Sequence, residues 1–441
     1  MRNQTFILGA GVTGLAAGWA SGLTIYEAEE NLGGICSSYY IAPKTKLKFT
    51  SPPGNGEAYR FETGGGHWIF GEDYAVRHFI EFLTPMKYYL RHSAVFFPEQ
   101  NLYVPYPLQN HLRFLGKKIG CQALKEMLNA PKGRVRTMAD WLLQSFGPTL
   151  TKLFFGPFHK SYTAGLWTQI APQDAYKSPV DISTVSKGLY SQTPKAGYNA
   201  TFIYPEQGLD ALVQRLAEHS EIKFRKRAVQ IDPRRKEILF ADGSNLGYDS
   251  LISSLPLNKM MEMTGLEVDE GPAPFTSVLV LNIGAVRGHQ CPEYHWIYVP
   301  RTKAGFHRLG FYSNVDASFL PASSPRSKER VAIYVERAYR GGEKPSRKEI
   351  KLYASAVVNE LQQWQFIGDV EVIDPSWVDV AYTWSWPGSG WQSKALRCLE
   401  ENDIIMAGRY GRWKFQGIAD SIRDGLFAKP ALQVEAALEK R

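Results

Sequence analysis

Cysteine is scarce in this chain. There are four in 441 residues, Cys36, Cys121, Cys291 and Cys398, far apart and in no metal-ligand or redox spacing. Such a set builds neither a disulfide framework nor a metal knuckle, so the expectation is reduced thiols, a cytoplasmic setting and no metal site. Missing too is any run of about 18 uncharged apolar residues, which speaks against a membrane-spanning helix and predicts no stable membrane insertion. The opening stretch MRNQTFILGAGVTGLAAG places one Arg before an apolar run, as a secretory signal would. Glycines break that run at fixed offsets, however, and no small-residue cleavage site follows, so it reads as a strand and turn of the fold. Internal repeats are absent. Apolar residues at 44% and charged residues at 21% are ordinary for a globular protein, and the length asks for more than one core.

Acidic residues are outnumbered, 43 against 51 basic ones, for a formal charge of +8. An excess of this sign suits a polyanionic partner. The densest basic runs, Lys223 to Arg227 and Pro233 to Glu237, flank a short alternating segment and precede EILFADGS. They read as the solvated face of a hairpin. A phosphorylated small molecule accounts for the charge more economically than nucleic acid, and no nucleic-acid partner is expected.

Glycine is abundant, and its positions carry information. TFILGAGVTGLAAG is an apolar strand followed by G-x-G-x-x-G at Gly9, Gly11 and Gly14. Glycines at this spacing permit a tight turn and bring backbone N–H groups to a pyrophosphate at a helix N-terminus. A second strand, Leu23 to Ala28, contains Glu27, 18 residues after Gly9, where a carboxylate takes ribose hydroxyls. Gly33 and Gly34 follow as a second close-approach pair. Together with a return strand at Ala228 to Ile231, these features resemble the FAD-binding fold of the glutathione-reductase type. Val229 is then the residue expected to set its backbone against the adenine. Tyr248 to Leu257 reads as a buried strand of the same domain.

Three consecutive glycines, Gly64, Gly65 and Gly66, precede His67 in FETGGGHWIFG. A flat flavin ring needs backbone close against it, which side chains would prevent. The three glycines therefore read as the segment passing the ring, with His67 delivered to its face or edge. GGHWIF resembles the histidine loop of the UDP-galactopyranose mutases, particularly the eukaryotic-type branch, within the flavin amine oxidase and protoporphyrinogen oxidase-like superfamily. YVPYPLQNHL, LFFGPFHKSY, NATFIYP, WIYVPRTKAGFHRLGFYSN and GRYGRWKF resemble further stretches of that family in the same order.

The resemblance implies a mutase that interconverts pyranose and furanose forms of a nucleotide-linked sugar, UDP-linked by preference. Reduced FAD, supplied by an external reductant, attacks the anomeric carbon through N5. It implies catalytic roles for His67, Arg308 and Arg409, a flavin contact at Gly408 and Arg409, and a diphosphate held by Arg308, Arg409 and Tyr298. Arginine suits that task because its fork bonds oxygens in pairs and keeps its charge. Tyr106 and Gln109 match residues that hold uracil, and Asn199, Trp296 and Trp386 are candidates for the sugar. His159, Thr163, Phe415 and Trp386 depart from the family pattern, and all four fall at the nucleotide-sugar pocket.

The expected architecture is α/β: a discontinuous Rossmann-like FAD-binding domain (1–85, 195–265 and 395–441), a helical cap (86–194) and a mostly antiparallel sheet domain (266–394). CQALKEMLNA and MADWLLQSFGPTLTKLFF show helical spacing, TSVLVLNIGAV and RVAIYVERAY alternate as strands, and Lys348 to Trp364 is an amphipathic helix. Pro321 to Arg330 reads as an exposed loop and ALQVEAALEKR as a closing helix end. An FAD-dependent amine oxidase or desaturase shares this fold and is the competing reading; it needs an apolar tunnel and has no use for paired arginines. A flavin-binding protein without turnover is the third.

Overall fold

The computed structural model describes residues 4–71, 73–130, 133–173, 180–191, 199–324 and 329–428. A five-stranded parallel sheet is its organising element, ordered Ile222–Lys223, Ile25–Tyr26, Thr5–Leu8, Ser250–Ser253 and Ile404–Met406. The central strand, Thr5–Leu8, pairs with Ser250–Ser253 on one side and with Ile25–Tyr26 on the other. The helix Val12–Ser21 makes the crossover, and it lies close to the sheet because its glycines lack side chains. A Cβ on Gly14 would overlap the Gly9 carbonyl oxygen, and one on Gly18 would run into Ser220 and Ile25. The helix Ile418–Leu426 packs on the far side of this crossover helix, where Gly425 abuts the Thr13 carbonyl. The expected buried strand within Tyr248 to Leu257 forms as Ser250–Ser253, the fourth of the five strands and buried at every position.

The expected return strand forms as Ala228–Asp232, but in a separate three-stranded antiparallel sheet with Glu237–Phe240 and Asn245–Gly247. A bulge between Ala228 and Gln230 turns Val229 outward, 45% exposed.

The second large sheet has seven strands. Its order is Ile367–Thr383, Phe275–Arg287, Arg330–Arg340, Arg308–Phe311, Trp296–Tyr298, Ser93–Phe97 and Leu102–Pro105. All pairs are antiparallel except Trp296–Tyr298 with Ser93–Phe97. Two of these strands come from the stretch expected to be helical. Residues Met86–Leu90, Ser93–Phe97 and Leu102–Pro105 are strands, and the longer helices begin only at Lys117–Leu128. Ser93–Phe97 is buried at every position, with Ala94 and Phe96 in one core and Val95 and Phe97 in another, so it shows no polar alternation.

After Lys117–Leu128 the insertion has a continuous helical run from Met138–Leu150 through Thr151–Phe155 to Gly156–Tyr162. Thr137 and Asp140 form a capping box at its start, and Gly147, at φ +70°, turns the chain before Pro148. The amphipathic helix expected at Lys348 to Trp364 forms as Arg347–Gln363, capped by Ser346 and Glu349, and packs on Ile367–Thr383. The closing helix expected at ALQVEAALEKR lies outside the described residues, as do residues 325–328 of the expected loop. No helix among the described residues is long and apolar enough to cross a membrane.

Candidate functional site

The tightest turn in the parallel sheet builds the first part of the site. Gly9 sits at φ +93°, a conformation L side chains rarely adopt, and Gly11 has open space where its Cβ would be. The helix that follows starts at Val12 with no side-chain cap and no acidic residue in its first turn. Its first N–H groups are therefore available to an anion. Glu27, 9% exposed, accepts from the Ala10 N–H at 2.6 Å and the Glu29 N–H at 2.8 Å, which fixes its carboxylate beside the turn. Gly33 donates to the Ala10 carbonyl at 2.8 Å, locking the second glycine pair against the first. Gly9, Gly11, Glu27, Gly33 and Gly34 all line one cavity of about 360 Å³.

That cavity continues to Gly64, Gly66 and His67, then to Arg308 and Arg409. Two arginines from the C-terminal part of the sequence thus share a cavity with the N-terminal turn. Close packing within the protein also keeps the three glycines bare. A Cβ on Gly64 would strike His67 and Ile35, one on Gly65 would approach Glu336 at 3.2 Å, and one on Gly66 would strike Tyr334. They make room for the protein's own side chains. Gly65 and Gly408 are not among the lining residues; Gly408 packs against Thr13.

His67 Nδ1 lies 3.0 Å from the Gly65 carbonyl. A carbonyl only accepts, so Nδ1 carries the proton and Nε2 keeps its lone pair. Burial, reinforced by the charges of Arg409 and Arg308, lowers the His67 pKa to about 4, and the ring is neutral at pH 7. Both arginines have partners within the protein. Arg308 donates to Glu336. Burial opposes its charge, but the Glu336 carboxylate outweighs burial and holds the guanidinium pKa well above its usual value. Arg308 Nε is buried without a hydrogen-bond partner. Arg409 donates to the carbonyls of Gln416 at 3.1 Å and Ala381 at 2.9 Å, and lies over the Phe415 ring at 4.5 Å.

A second cavity of about 140 Å³ adjoins the first, and the two share Arg308, Tyr382 and Phe415. Tyr106, His159, Asn199 and Tyr298 line it, with an aromatic wall from Phe154, Phe155, Phe158 and Tyr162. The Tyr106 and Tyr298 rings stand 4.8 Å apart. His159 is tied to the Phe155 carbonyl at 2.7 Å. Arg91, 1% exposed, donates to Asn199 Oδ1 and to the Tyr106 carbonyl, and so ties two of these residues together.

Besides Gly14, Gly65 and Gly408, four expected positions line neither cavity. Gln109 is 1% exposed and lines neither cavity. Trp296 is 2% exposed and packs against Phe70 and Phe202. Trp386 donates to the Pro272 carbonyl at 3.3 Å, and its neighbour Trp384 is the one packed beside Tyr162. Val229 is absent from the first cavity's lining. Thr163, one of the departures, is fully buried and donates to the His159 carbonyl at 2.7 Å.

Sequence reasoning missed Glu336, His307, Tyr382 and Arg91. Glu336 had a signal, since it is an acid inside the apolar run RVAIYVERAY. Among the described residues, no group of three or more His, Cys, Asp or Glu side chains converges as a metal site.

A protein-family model described as "Flavin containing amine oxidoreductase" matches residues 12–428. The fold is similar to that of a solved reduced UDP-galactopyranose mutase, at 20% identity and TM-score 0.82, covering 98% of this chain and 95% of that one. It is also similar to a putative protoporphyrinogen oxidase from Exiguobacterium sp. 255-15 (14%, TM-score 0.71, 99% of each chain). A third likeness is to cyclohexylamine oxidase from Brevibacterium oxydans IH-35A (12%, TM-score 0.61, 99% of each chain).

Proposed function

The chain belongs to the flavin-containing amine oxidoreductase family, and from that premise we propose that it is an FAD-dependent mutase of a nucleotide-linked sugar. The observation that carries this reading is the placement of Arg308 and Arg409 on one cavity with His67 and the glycine turn. Two guanidinium groups beside a flavin site suit an anionic leaving group, and an oxidation of a neutral or cationic substrate has no such need.

The residues present fit a dinucleotide flavin. Gly11 leaves open the space a side chain would fill, the uncapped helix start at Val12 offers N–H groups to a pyrophosphate, and Glu27 is fixed where ribose hydroxyls would lie. When bound and reduced, the flavin supplies a nucleophilic ring nitrogen for the anomeric carbon. The chain's own residues do the rest. Arg409 and Arg308 hold the departing diphosphate and keep it near for return. Tyr106 and Tyr298 receive the base and the phosphates at the second cavity. Asn199, oriented by Arg91, offers its amide to the sugar. Phe154, Phe158 and Tyr162 exclude water, so that the opened sugar is not hydrolysed. His67 stays neutral and presents Nε2 as an acceptor.

One observation favours a second reading, oxidation of an amine. The second cavity is walled almost wholly by aromatic rings, and Arg308 is committed to Glu336. A single experiment separates the two. Purified flavoprotein, reduced anaerobically with dithionite, is incubated with UDP-galactopyranose and the nucleotide sugars are resolved by chromatography. Appearance of the furanose form, only after reduction, supports the mutase. Turnover of amines by the oxidised protein with oxygen uptake, and no sugar product, overturns it.

A further inference from the structure

Behind the helix Gly156–Tyr162, on the side away from the second cavity, lies an open groove of about 900 Å³ between the helical insertion and the seven-stranded sheet. Lys152, Lys160 and Trp167 reach it from the insertion; Arg301 and Arg337 reach it from the sheet side. None of the described residues lining it carries a carboxylate. Elsewhere the chain pairs its cations freely, as in Arg330 with Glu371, Lys226 with Asp242 and Lys394 with Asp269. No ion pair joins any of the four groove cations to another described residue.

Two of them are nonetheless held in place by neutral groups. Arg301 donates to the Lys152 carbonyl at 3.2 Å, which crosses the groove. Arg337 donates to the Ala304 carbonyl at 3.2 Å and lies between the rings of Tyr339 and Tyr353, 5.0 Å from each. Glu360, on the neighbouring helix, is turned into the loop and accepts from the Lys303 and Ala304 N–H groups at 2.8 Å. Carbonyls and rings fix these guanidinium groups without neutralising them, so their charge remains available to an incoming anion. Gathering four like charges costs self-repulsion, which a polyanion would offset.

We propose that this groove is a second ligand site, for an oligophosphate-bearing molecule of nucleotide size. The volume falls in the range of small-molecule sites, and the concave shape suits such a ligand better than a flat protein surface. Lys152, Lys160, Arg301 and Arg337 meet the phosphates, while the half-buried Trp167 ring and the hydroxyls of Ser161 and Thr302 lie beside them. An occupant would join the insertion to the sheet. The helix it grips also presents Phe158, His159 and Tyr162 to the second cavity, so occupancy would steady that wall. The site stands independently of the sugar reaction.

Inorganic tripolyphosphate and ATP are titrated calorimetrically into the full-length flavoprotein, alongside the Lys152→Glu/Arg301→Glu double variant. The double variant should bind tripolyphosphate about tenfold more weakly or worse, with flavin content and Tm unchanged. Lys160→Glu, with the same expectation, serves if the double variant loses its flavin. Raising the salt should weaken wild-type binding. ATP binding more tightly than tripolyphosphate, with a fluorescence change lost in Trp167→Phe, identifies a nucleotide; equal affinities without that change identify phosphate from another source. Wild-type protein that binds neither probe, or charge-reversed protein that binds them undiminished, overturns the proposal.

Discussion

Replacing Glu336 with Gln removes a charge and almost no volume, and it should lower stability while tightening anion binding. Glu336 is 2% exposed, and its partner is Arg308. The other basic group nearby, His307, stands 3.8 Å away, and burial, with Arg308 beside it, lowers its pKa to about 3, so it contributes no charge at pH 7. Breaking a buried ion pair costs about 3–5 kcal/mol. The Arg308 side chain keeps 25% of its exposure and recovers part of that from water, so the expected loss is about 2–3 kcal/mol. For a chain of this length the unfolding entropy is about 0.9 kcal/mol/K, and Tm should fall by about 2–3 °C. A carboxylate about 7 Å from a bound phosphate repels it by about 2 kcal/mol at an effective dielectric of about 20, so its removal should tighten UDP binding by about tenfold or more. Thermal melting with and without UDP, together with calorimetric titration, reads both effects. If Tm and UDP affinity both match wild type, Glu336 is not the counterion of Arg308 and the electrostatic account of the cavity is wrong.

Other perturbations have equally definite outcomes. Gly14→Ala should yield protein that retains little flavin, because the new methyl overlaps the Gly9 carbonyl and must push the helix start off the turn; the ratio of flavin to protein absorbance measures it. His67 makes stability depend on pH. Its folded pKa, about 4, lies below the ordinary 6.5, so between those values the unfolded chain binds the proton and the folded one does not. The contribution is therefore present above pH 6.5 and is lost as pH falls toward 4. His67→Asn should lose less Tm than wild type between pH 7 and pH 5, and an equal loss would show that the ring is not desolvated.

The parallel sheet was legible because glycines at fixed offsets leave few alternatives: the spacing of Gly9, Gly11 and Gly14 has one economical structural solution. The meeting of Arg308 with Arg409 came only through family resemblance, since nothing local links two residues a hundred positions apart. The strand Ser93–Phe97 was hidden because cores on both its faces erase the alternation that marks a half-exposed strand. The exposed side chain of Val229 was not legible, because it follows from a bulge that no residue in KRAVQID announces. The glycine triplet was legible as a segment of the cavity, which Gly64 and Gly66 line, but not in its packing. Its neighbours Tyr334 and Glu336 come from a strand some 270 residues away, and sequence spacing cannot show that packing.

The central claim is that Arg409, which donates to the carbonyls of Gln416 and Ala381, acts on an anionic nucleotide. Calorimetric titration of UDP into flavin-loaded Arg409→Ala tests it most directly. The account predicts full flavin content and UDP binding weaker by about 30-fold or more, the worth of one charge-assisted contact in a closed site. Binding within twofold of wild type would contradict it.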